Sequence, residues 1–366
     1  MPVDPYLLRR LVCPRHGLPL TEAGSYLHCA YGHRYPIVDD VPVLLDDGPQ
    51  TLWVAERSLQ RAQRKALDLP ADPFYVDTLG ISPDERDGLL DRLQGPAPWI
   101  DPVVSCLVGA TNGISYRRLV GRLQDYPIPA LRLPRSSGEV LLDVGCNWGR
   151  WCFAAARLGY SPIGIDPSLG AVLAAKRVAA QLGLAAQFVV GDARTLPFRA
   201  GSVDVTFSYS VLQHFGREDA SRAIQEMGRV LRTDGTALVQ MPTVCGLRCM
   251  YHQARRRFRQ ARAFDVRYWS IPALRRLFTR NIGAPAFSVD CYFGIGLQAS
   301  AAHLLPANSR AAIRASEVLR TLSRFVPWLY YGADSVYVKS VRIADGITPD
   351  RYAADRVRAC TETQPG

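Results

Sequence analysis

The feature that most constrains the fold is the stretch EVLLDVGCNWGRWCFAAARLG, which begins at Glu139. Val140 to Val144 form an apolar run of strand length, and the residues after Gly149 have the composition of an alanine-rich helix. Between them, Gly145 and Gly149 provide residues without a Cβ, where a chain can turn sharply and bring its backbone close to another group. A strand, a glycine bend and a helix in this order predict the first βα unit of a doubly wound sheet.

The alternation of strand and helix continues beyond this unit. Apolar runs PIGID, AQFVV, VDVTFS and TALVQM follow at helix-sized intervals, and AFSVDCYF with SVYVKSV suggests a closing pair of strands. We therefore predict an α/β fold: a Rossmann-like, doubly wound, mostly parallel sheet with an antiparallel closing strand, plus a small zinc-ribbon-like amino-terminal domain. The predicted segments are a ribbon at 1–48, a helical linker at 49–136, a main domain at 137–345 with a lid at 246–285, and a flexible tail at 346–366.

Acidic residues stand at the ends of the first three predicted strands of the main domain. Asp143 ends the first strand, Asp166 the second and Asp192 the third. Because the carboxyl ends of parallel strands meet at one edge of a sheet, we expect the three side chains in one crevice, where Asp166 can accept both hydroxyls of a ribose. A nicotinamide-dependent dehydrogenase would more usually show GxGxxG without Asp143 and without the GDARTLPF stretch. Taken singly, each aspartate also fits a helix cap or a turn.

Five motifs together resemble a known family. DVGCNWG, GIDPS, GDARTLPF, DVTFSYSVLQHF and RVLRTDGTALVQMP look like the successive motifs of class I S-adenosylmethionine-dependent methyltransferases of the small-molecule type. The resemblance covers about 137–245 well and the rest to about 345 loosely. Asn147 departs from it, since many relatives have Gly or Ser there, and Trp148 is bulky for this loop.

The resemblance also implies how the cofactor would be held. It implies that Asp143 and the 145–149 loop contact the methionine moiety, Asp166 the ribose, and Asp192 the adenine, together with the backbone of the next residue. The full set of expected cofactor-binding residues is Asp143, Gly145, Cys146, Asn147, Gly149, Asp166, Pro167, Asp192, Ala193 and Ser208.

A candidate general base lies just beyond the fourth predicted strand. His214 in SYSVLQHF is expected to face the crevice, and its ordinary pKa near neutrality suits the removal of a proton from an acceptor hydroxyl. The alternative is that His214 only fixes the loop. Tyr209, Tyr251, His252 and Tyr268 are weaker candidates. No Asn/Asp-Pro-Pro-Tyr motif follows this strand, which disfavours methylation of exocyclic amino groups in nucleic acids.

A cluster of potential metal ligands lies near the amino terminus. Cys13, His16, Cys29 and His33 form a CxxH…CxxxH pattern with 12 residues between its halves. Two thiolates and two imidazoles can enclose a tetrahedral Zn²⁺ with no open position, which is typical of a structural site. The following YPIVDDVPVLL resembles the strand-forming end of the zinc-ribbon activator subunit of tRNA and protein methyltransferases, and the zinc finger of certain rRNA guanine methyltransferases. The alternative is a metal-free mini-domain of the same shape.

Composition sets limits on location and partners. The net charge is +11, but only three of the 44 basic residues are Lys, so the excess of Arg fits a genome-wide bias as well as an anionic partner. We find neither a signal peptide nor an apolar stretch of membrane-spanning length. The nine cysteines are scattered through a large chain and are expected to be reduced. These features together predict a cytoplasmic protein.

An arginine-rich segment follows the fifth predicted strand. Between Val244 and Arg280 there are ten Arg residues and one acidic residue, Asp265, with aromatic residues interleaved. Such a segment can stack on bases, lie at a membrane surface, or clamp a phosphate or carboxylate. It can equally pack over the cleft, and we interpret 246–285 as a substrate lid.

Three functional hypotheses follow. The leading one is methyl transfer to a small-molecule acceptor, with an oxygen of a secondary metabolite, sugar or lipid intermediate favoured. The alternative is an RNA methyltransferase acting on rRNA or tRNA, which salt-sensitive retention on RNA would favour. The third is a module that binds the cofactor or activates a partner without turnover, for which changing His214 to Ala would have no effect.

Overall fold

The computed structural model describes residues 2–46, 52–69, 72–94, 99–262, 264–294 and 298–343. The tail predicted at 346–366 lies outside these described residues. Within the described residues the eight cysteines are all free thiols. None of the helices in these ranges combines the length and the apolar composition needed to cross a bilayer.

Eleven strands form one sheet in the described part of the chain. They are β1 (Leu20–Ala23), β2 (Tyr26–Cys29), β3 (Arg34–Val38), β4 (Val41–Leu44), β5 (Val140–Val144), β6 (Ser161–Asp166), β7 (Gln187–Gly191), β8 (Val203–Ser208), β9 (Leu231–Pro242), β10 (Pro285–Cys291) and β11 (Ser335–Val341). Their order is β1-β2-β3-β4-β7-β6-β5-β8-β9-β11-β10. Strands β7, β6, β5, β8 and β9 are parallel, whereas β11 is antiparallel to both of its neighbours. This confirms the predicted mostly parallel, doubly wound sheet with an antiparallel closing strand.

Helices cover both faces of the parallel strands. The described helices are α1 (Pro5–Leu8), α2 (Trp53–Ala66), α3 (Pro83–Leu93), α4 (Pro102–Thr111), α5 (Arg150–Arg157), α6 (Leu169–Leu182), α7 (Arg217–Val230), α8 (Leu247–Arg255), α9 (Ile271–Asn281) and α10 (Ala307–Leu322). Consecutive residues of β5 point to opposite faces: Leu141 shares a buried cluster with Ala155 of α5, and Leu142 shares another with Met227 of α7. Because both faces are covered, every residue of β5 is buried.

The amino-terminal strands extend the main sheet. Strands β1 to β4 form an antiparallel meander, and β4 then pairs in parallel with β7, Val43 opposite Val190 and Leu44 opposite Gly191. The β3–β4 turn consists of Asp39 and Asp40, with φ of 47° and 66°. Positive φ at both central residues is what a two-residue hairpin turn requires, and aspartate tolerates it better than most side chains.

A second seam joins the ribbon to the main domain. Leu11 forms an isolated antiparallel bridge with Phe198, and backbone hydrogen bonds run from Val12 N to Pro197 O at 2.9 Å and from Arg199 N to Arg10 O at 2.8 Å. Ribbon and main-domain side chains, Leu11 and Phe198 among them, belong to the same buried cluster. The ribbon therefore shares its apolar core with the sheet that it extends.

The predicted helical linker packs against the start of α6. The Ser58 hydroxyl of α2 accepts a hydrogen bond from Leu169 N at 3.0 Å, and the Thr78 hydroxyl accepts one from Gly170 N at 2.8 Å. The first N–H groups of a helix have no partner within the helix, so these two linker side chains act as caps. A Cβ on Gly170 would lie 2.8 Å from Tyr75 O, which shows how closely the linker approaches.

A buried ion pair fixes the chain that follows β7. Arg229 is bidentate to Glu226, with both N···O distances 2.8 Å, and it also donates to Leu196 O and Phe198 O at 2.7 Å each. The side chains of Arg229 and Glu226 are 8% and 2% exposed. This pair ties α7 to the segment that forms the second seam with the ribbon.

We predict that Arg229→Met lowers the free energy of unfolding by about 3–5 kcal/mol, because the buried carboxylate of Glu226 loses the two hydrogen bonds and the positive charge of this guanidinium. Urea denaturation measures this loss. The double variant Arg229→Met with Glu226→Leu should recover part of this loss of stability, since both buried charges are then removed. A cost below about 1 kcal/mol for the single variant would contradict a structural role for the pair.

Candidate cofactor site and metal cluster

The loop between β5 and α5 depends on two glycines with positive φ. Gly145 and Gly149 both have φ of 81°. A Cβ on Gly145 would lie 2.2 Å from a methyl carbon of Val211, and one on Gly149 would lie 2.9 Å from the Phe153 ring. Side chains are excluded at both positions by conformation and by space.

The loop is pinned to the neighbouring strand β6. Gly145 N and Cys146 N both donate to Ile165 O, at 2.8 and 3.0 Å. Asn147, with φ of 48°, donates its N–H to the Asp166 carboxylate at 3.0 Å. Trp148 turns into the core, where it is 1% exposed and its ring lies 6.0 Å from that of Tyr126. The two departures from the family pattern are thus accommodated: asparagine tolerates a left-handed conformation, and the indole fills the core.

Asp143 is a buried carboxyl group with one unused oxygen. It is 1% exposed; Oδ2 accepts a hydrogen bond from the Cys152 thiol at 3.4 Å, while Oδ1 has no partner among the described residues. Burial raises the pKa of Asp143 to about 7. Because the oxygen Oδ1 needs a donor, a cationic or N–H group is the ligand that this position fits.

Asp166 ends β6 and contacts the loop formed by residues 145–149, which we call the glycine loop. Its Oδ2 accepts from Asn147 N and its Oδ1 from Ser168 N, both at 3.0 Å. Burial raises its pKa to about 6, while these two backbone hydrogen bonds oppose the rise. A carboxylate has about four lone-pair sites, so Asp166 keeps acceptor capacity for two further donors such as ribose hydroxyls.

Asp192 begins the short helical turn after β7. Its carboxylate accepts from Arg194 N at 2.8 Å and pairs with the Arg194 guanidinium at 2.6 Å. Arg194 in turn lies 3.7 Å from Asp219. Since the carboxylate is already paired, the backbone at Asp192 and Ala193 is the part of this turn that remains for an adenine edge.

Ser208 has a structural contact at the end of β8. Its hydroxyl donates to Val144 O at 2.9 Å and is buried, so it joins the ends of β5 and β8. Asp143 and Asp166 therefore lie at the ends of the adjacent parallel strands β5 and β6, Asp192 follows β7, and Ser208 joins the end of β5 to the end of β8. Pro167 follows Asp166 at the start of the β6–α6 connection.

His214 lies in a short helical turn after β8, beneath the segment that we interpreted as a lid. Its Nδ1 lies 2.7 Å from Phe264 O, its ring stacks on the Phe264 ring at 4.6 Å, and its Nε2 lies 3.2 Å from the Gln213 amide nitrogen. Arg267 donates to His214 O at 2.6 Å. Burial lowers the pKa of His214, which keeps the ring neutral. Within 246–285, α8 and the chain around Phe264 have exposed apolar side chains, whereas α9 packs into the core through Leu274 and Phe278.

Tyr209, which the sequence indicated only as a weaker catalytic candidate, is the centre of a polar group at the end of β8. The Tyr209 hydroxyl donates to Asp290 at 2.9 Å and accepts from the Gln298 amide at 2.8 Å. Arg150, the first residue of α5, lies with its guanidinium carbon 5.6 Å from the Tyr209 ring centre. The sequence shows Arg150 directly after Gly149, but nothing in it indicated that this side chain would be buried.

Three of the four expected metal ligands converge. The sulfur atoms of Cys13 and Cys29 lie 3.6 and 3.5 Å from His16 Nδ1, and all three residues are buried. They are the one group of three or more such side chains within the described ranges. Zinc bonds of about 2.3 Å to sulfur and 2.0–2.1 Å to nitrogen at a tetrahedral angle place S and N roughly 3.6 Å apart. The three residues therefore fit Zn²⁺.

The fourth expected ligand, His33, lies beside this group. Its ring centre is 5.0 Å from that of His16, and its ligand atoms lie outside the three-residue cluster. The Tyr35 hydroxyl, which the sequence did not indicate, lies 3.1 Å from Cys13 Sγ. Of these two side chains, His33 is of a type that binds zinc.

The chain is similar to several known proteins. The chain is 38% identical over 240 residues to an uncharacterized 37.1 kDa protein in transposon Tn4556 of Streptomyces fradiae, covering 63% of this chain and 62% of that protein. It is 37% identical over 124 residues to the biotin biosynthesis bifunctional protein BioHC of Cellvibrio japonicus, covering 34% of this chain and 23% of that protein. The chain thus spans less than two thirds of the length of either relative.

A solved structure gives a further likeness. A SAM-dependent methyltransferase from Methanosarcina mazei aligns with a TM-score of 0.42 and 19% identity, over 61% of this chain and 100% of that one. The family described as "Methyltransferase domain" matches residues 141–235, from the second residue of β5 into β9. This match includes the glycine loop and all three strand-end aspartates, so it is residues 141–235 that are similar to a methyltransferase domain.

Proposed function

We propose that this protein is an S-adenosylmethionine-dependent methyltransferase whose acceptor is a small molecule, with an oxygen as the favoured methylated atom. The observation that carries the proposal is the junction of Asp143, Asp166 and the 145–149 loop at the ends of β5 and β6. A buried, unused carboxyl oxygen and a second carboxyl with spare acceptor capacity match an ammonium group and a ribose. The match to a methyltransferase domain supports the same cofactor.

Each part of the cofactor has a proposed partner. Asp143 would receive the methionine ammonium, beside the backbone of Gly145, Cys146, Asn147 and Gly149. Asp166, next to Pro167, would receive the ribose hydroxyls. The backbone at Asp192 and Ala193 would meet the adenine, because the Asp192 carboxylate is paired with Arg194. Ser208 would act by holding the ends of β5 and β8 in register.

The chain's contribution to the reaction is mainly positional. When bound, the cofactor supplies a methyl group already activated on a sulfonium. His214 is the proposed base for an acceptor hydroxyl: with the Nδ1 proton donated to Phe264 O, Nε2 carries the lone pair that a base needs. The Gln213 amide lies 3.2 Å from that Nε2, so an acceptor hydroxyl would have to take its place.

The contacts of the lid with the His214 loop support a small acceptor, whereas its exposed aromatic side chains favour RNA as the alternative. Phe264 and Arg267 contact the His214 loop directly, which would close the cleft on that side. The same segment exposes Tyr251, Phe258 and Phe264, at 55%, 72% and 66%, among arginines. Exposed aromatic and guanidinium groups can stack on bases, and this observation favours RNA as the second candidate acceptor.

We also propose that Cys13, His16 and Cys29 bind a structural Zn²⁺ with His33 as the fourth ligand. The S···N distances near 3.6 Å and the burial of the three residues support this site. No position would be open for substrate, and the site is on the ribbon, so the ion would stabilise the ribbon rather than take part in methyl transfer.

The acceptor class can be tested by incubating the purified protein with methyl-labelled S-adenosylmethionine and fractionated extract of the source cells. We expect label in the small-molecule fraction, and none with a heat-inactivated control. Label confined to RNA would replace the small-molecule proposal with the RNA alternative. Absence of label from every fraction, with cofactor binding intact, would favour a non-catalytic module.

Cofactor binding should depend on pH. The hydrogen bonds that we assign to Asp166 and Asp143 need the carboxylate forms, whose pKa values are about 6 and 7 in the free protein. The affinity for S-adenosylhomocysteine should therefore increase as the pH rises from 5 to 8, with protons released on binding. Calorimetry in buffers of different ionisation enthalpy measures both quantities.

The variant Asp166→Asn should bind S-adenosylhomocysteine about tenfold or more weakly at pH 8, which is a loss of about 1.4 kcal/mol or more in binding free energy. Its affinity should also depend less on pH below pH 6.5. Asp91→Asn, an exposed site on α3, is the control and should match wild type. An unchanged affinity in Asp166→Asn would contradict the ribose assignment.

Metal analysis tests the ribbon site. We expect about one zinc per chain after purification without chelator, loss of this zinc in Cys13→Ser, and a lower melting temperature for that variant. Cys106→Ser, a buried cysteine of α4 away from the cluster, should keep its zinc. Wild-type protein free of zinc after growth in zinc-supplemented medium would argue for the metal-free mini-domain.

A further inference from the structure

Arg150 is a buried guanidinium without a counter-ion among the described residues. It is 6% exposed, and in the described ranges its Nη1 has no hydrogen-bond partner and no carboxylate lies within ion-pair distance of it. The comparison with Arg229 is direct, since that side chain is 8% exposed and is bidentate to Glu226. Burying an unpaired charge is costly, so a site that keeps one is expected to gain an anion from a bound molecule.

The surroundings of Arg150 are aromatic. Its guanidinium carbon lies 5.6 Å from the ring centres of both Trp151 and Tyr209. Tyr116, from the linker, is also buried nearby: burial raises its pKa, and the positive charge of Arg150 opposes that rise. The guanidinium therefore lies among aromatic side chains.

Neither Asp290 nor Asp143 neutralises Arg150. Asp290 is already engaged by Tyr209 at 2.9 Å, Ser335 at 2.7 Å and Arg132 at 3.7 Å. The positive charge of Arg150 acts to lower the pKa of Asp143, but the two side chains make no ion pair. Burial is the larger effect and raises the pKa of Asp143 to about 7. The positive charge at this end of α5 thus remains uncompensated within the described chain.

The position of Arg150 distinguishes it from the adenosyl part of the cofactor site. Asp166 ends β6 and Asp192 follows β7, whereas Arg150 contacts Tyr209, which follows β8 on the other side of β5. Neighbouring strands are about 4.8 Å apart, so β7 and β8 are separated by roughly 14 Å. An acceptor must approach the methyl carbon from the side opposite the sulfonium sulfur, and with the adenosyl moiety over β6 and β7 we take this to be the β8 side.

We propose that Arg150 anchors a carboxylate, or a similar oxyanion, of the methyl acceptor among the side chains of Trp151, Tyr209 and Tyr116. This inference rests on the proposed function, because it takes the adenosyl moiety to lie over β6 and β7. A planar guanidinium matches a carboxylate with two parallel hydrogen bonds. The aromatic side chains suit an acceptor with a planar or apolar body. The acceptor is accordingly an anionic small molecule rather than a neutral one.

The test uses the full-length protein saturated with S-adenosylhomocysteine and two ¹⁹F probes, 4-fluorobenzoate and its neutral counterpart 4-fluorobenzamide. Fluorine NMR titration measures their binding to wild type, Arg150→Met and Arg157→Met. Arg157 is an exposed residue of the same helix and serves as the matched control. Calorimetry measures the affinity of each variant for S-adenosylhomocysteine and for 5′-methylthioadenosine, which lacks the amino-acid carboxylate.

We expect 4-fluorobenzoate to bind wild type and Arg157→Met alike and Arg150→Met at least tenfold more weakly, with 4-fluorobenzamide insensitive to the change. Affinity for S-adenosylhomocysteine should stay within twofold in Arg150→Met, which also shows that the variant is folded. The proposal would be overturned if 4-fluorobenzoate did not bind the loaded wild type, or if Arg150→Met left its binding unchanged. It would also be overturned if Arg150→Met lost tenfold in affinity for S-adenosylhomocysteine but not for 5′-methylthioadenosine.

The last of those outcomes would assign the anion to the cofactor's own carboxylate and leave the proposed function intact. Failure of the proposed function has a different signature, since wild type would then bind neither S-adenosylhomocysteine nor 5′-methylthioadenosine. The two failures are therefore distinguished by the wild-type calorimetry alone.

Discussion

The hydrogen bonds between the glycine loop and β6 are the interaction on which the site depends. Gly145 and Cys146 donate to Ile165 O, and Asn147 donates to the carboxylate of Asp166. These contacts fix the bend of the loop and hold Asp166 against it, and the same bend ends at Gly149, where α5 begins. They exist because β5 and β6 are adjacent and parallel, so that both strands end at one edge of the sheet. A change in this loop would move the acidic groups and the start of α5 together.

The rest of the chain supports that edge from several sides. The linker caps the start of α6 through Ser58 and Thr78, and α6 follows directly on the Asp166 turn. The Arg229–Glu226 pair holds the segment after Asp192. The ribbon pairs with β7 and shares its apolar core, so a metal bound there would stabilise the same sheet that carries the site. Segments distant in sequence are thereby coupled to the geometry of one crevice.

Local sequence signals accounted for much of this architecture. The strands around Asp143, Asp166 and Asp192 were predictable because strand length, apolar composition and a terminal acid all lie within a few residues of one another. The parallel pairing of β4 with β7 was not, since it joins Val43 to Val190 with no local signature. The burial of Arg150 was likewise unpredictable: the linker, α5 and the end of β8 enclose it, and no sequence window contains all three.

A crystal structure of the full-length protein with S-adenosylhomocysteine would test the proposed site most directly. We expect the adenosyl group over the ends of β6 and β7, with the ribose hydroxyls within hydrogen-bond distance of Asp166 and the ammonium group beside Asp143. Ligand bound at another edge of the sheet, or a ribose without contact to Asp166, would contradict this expectation.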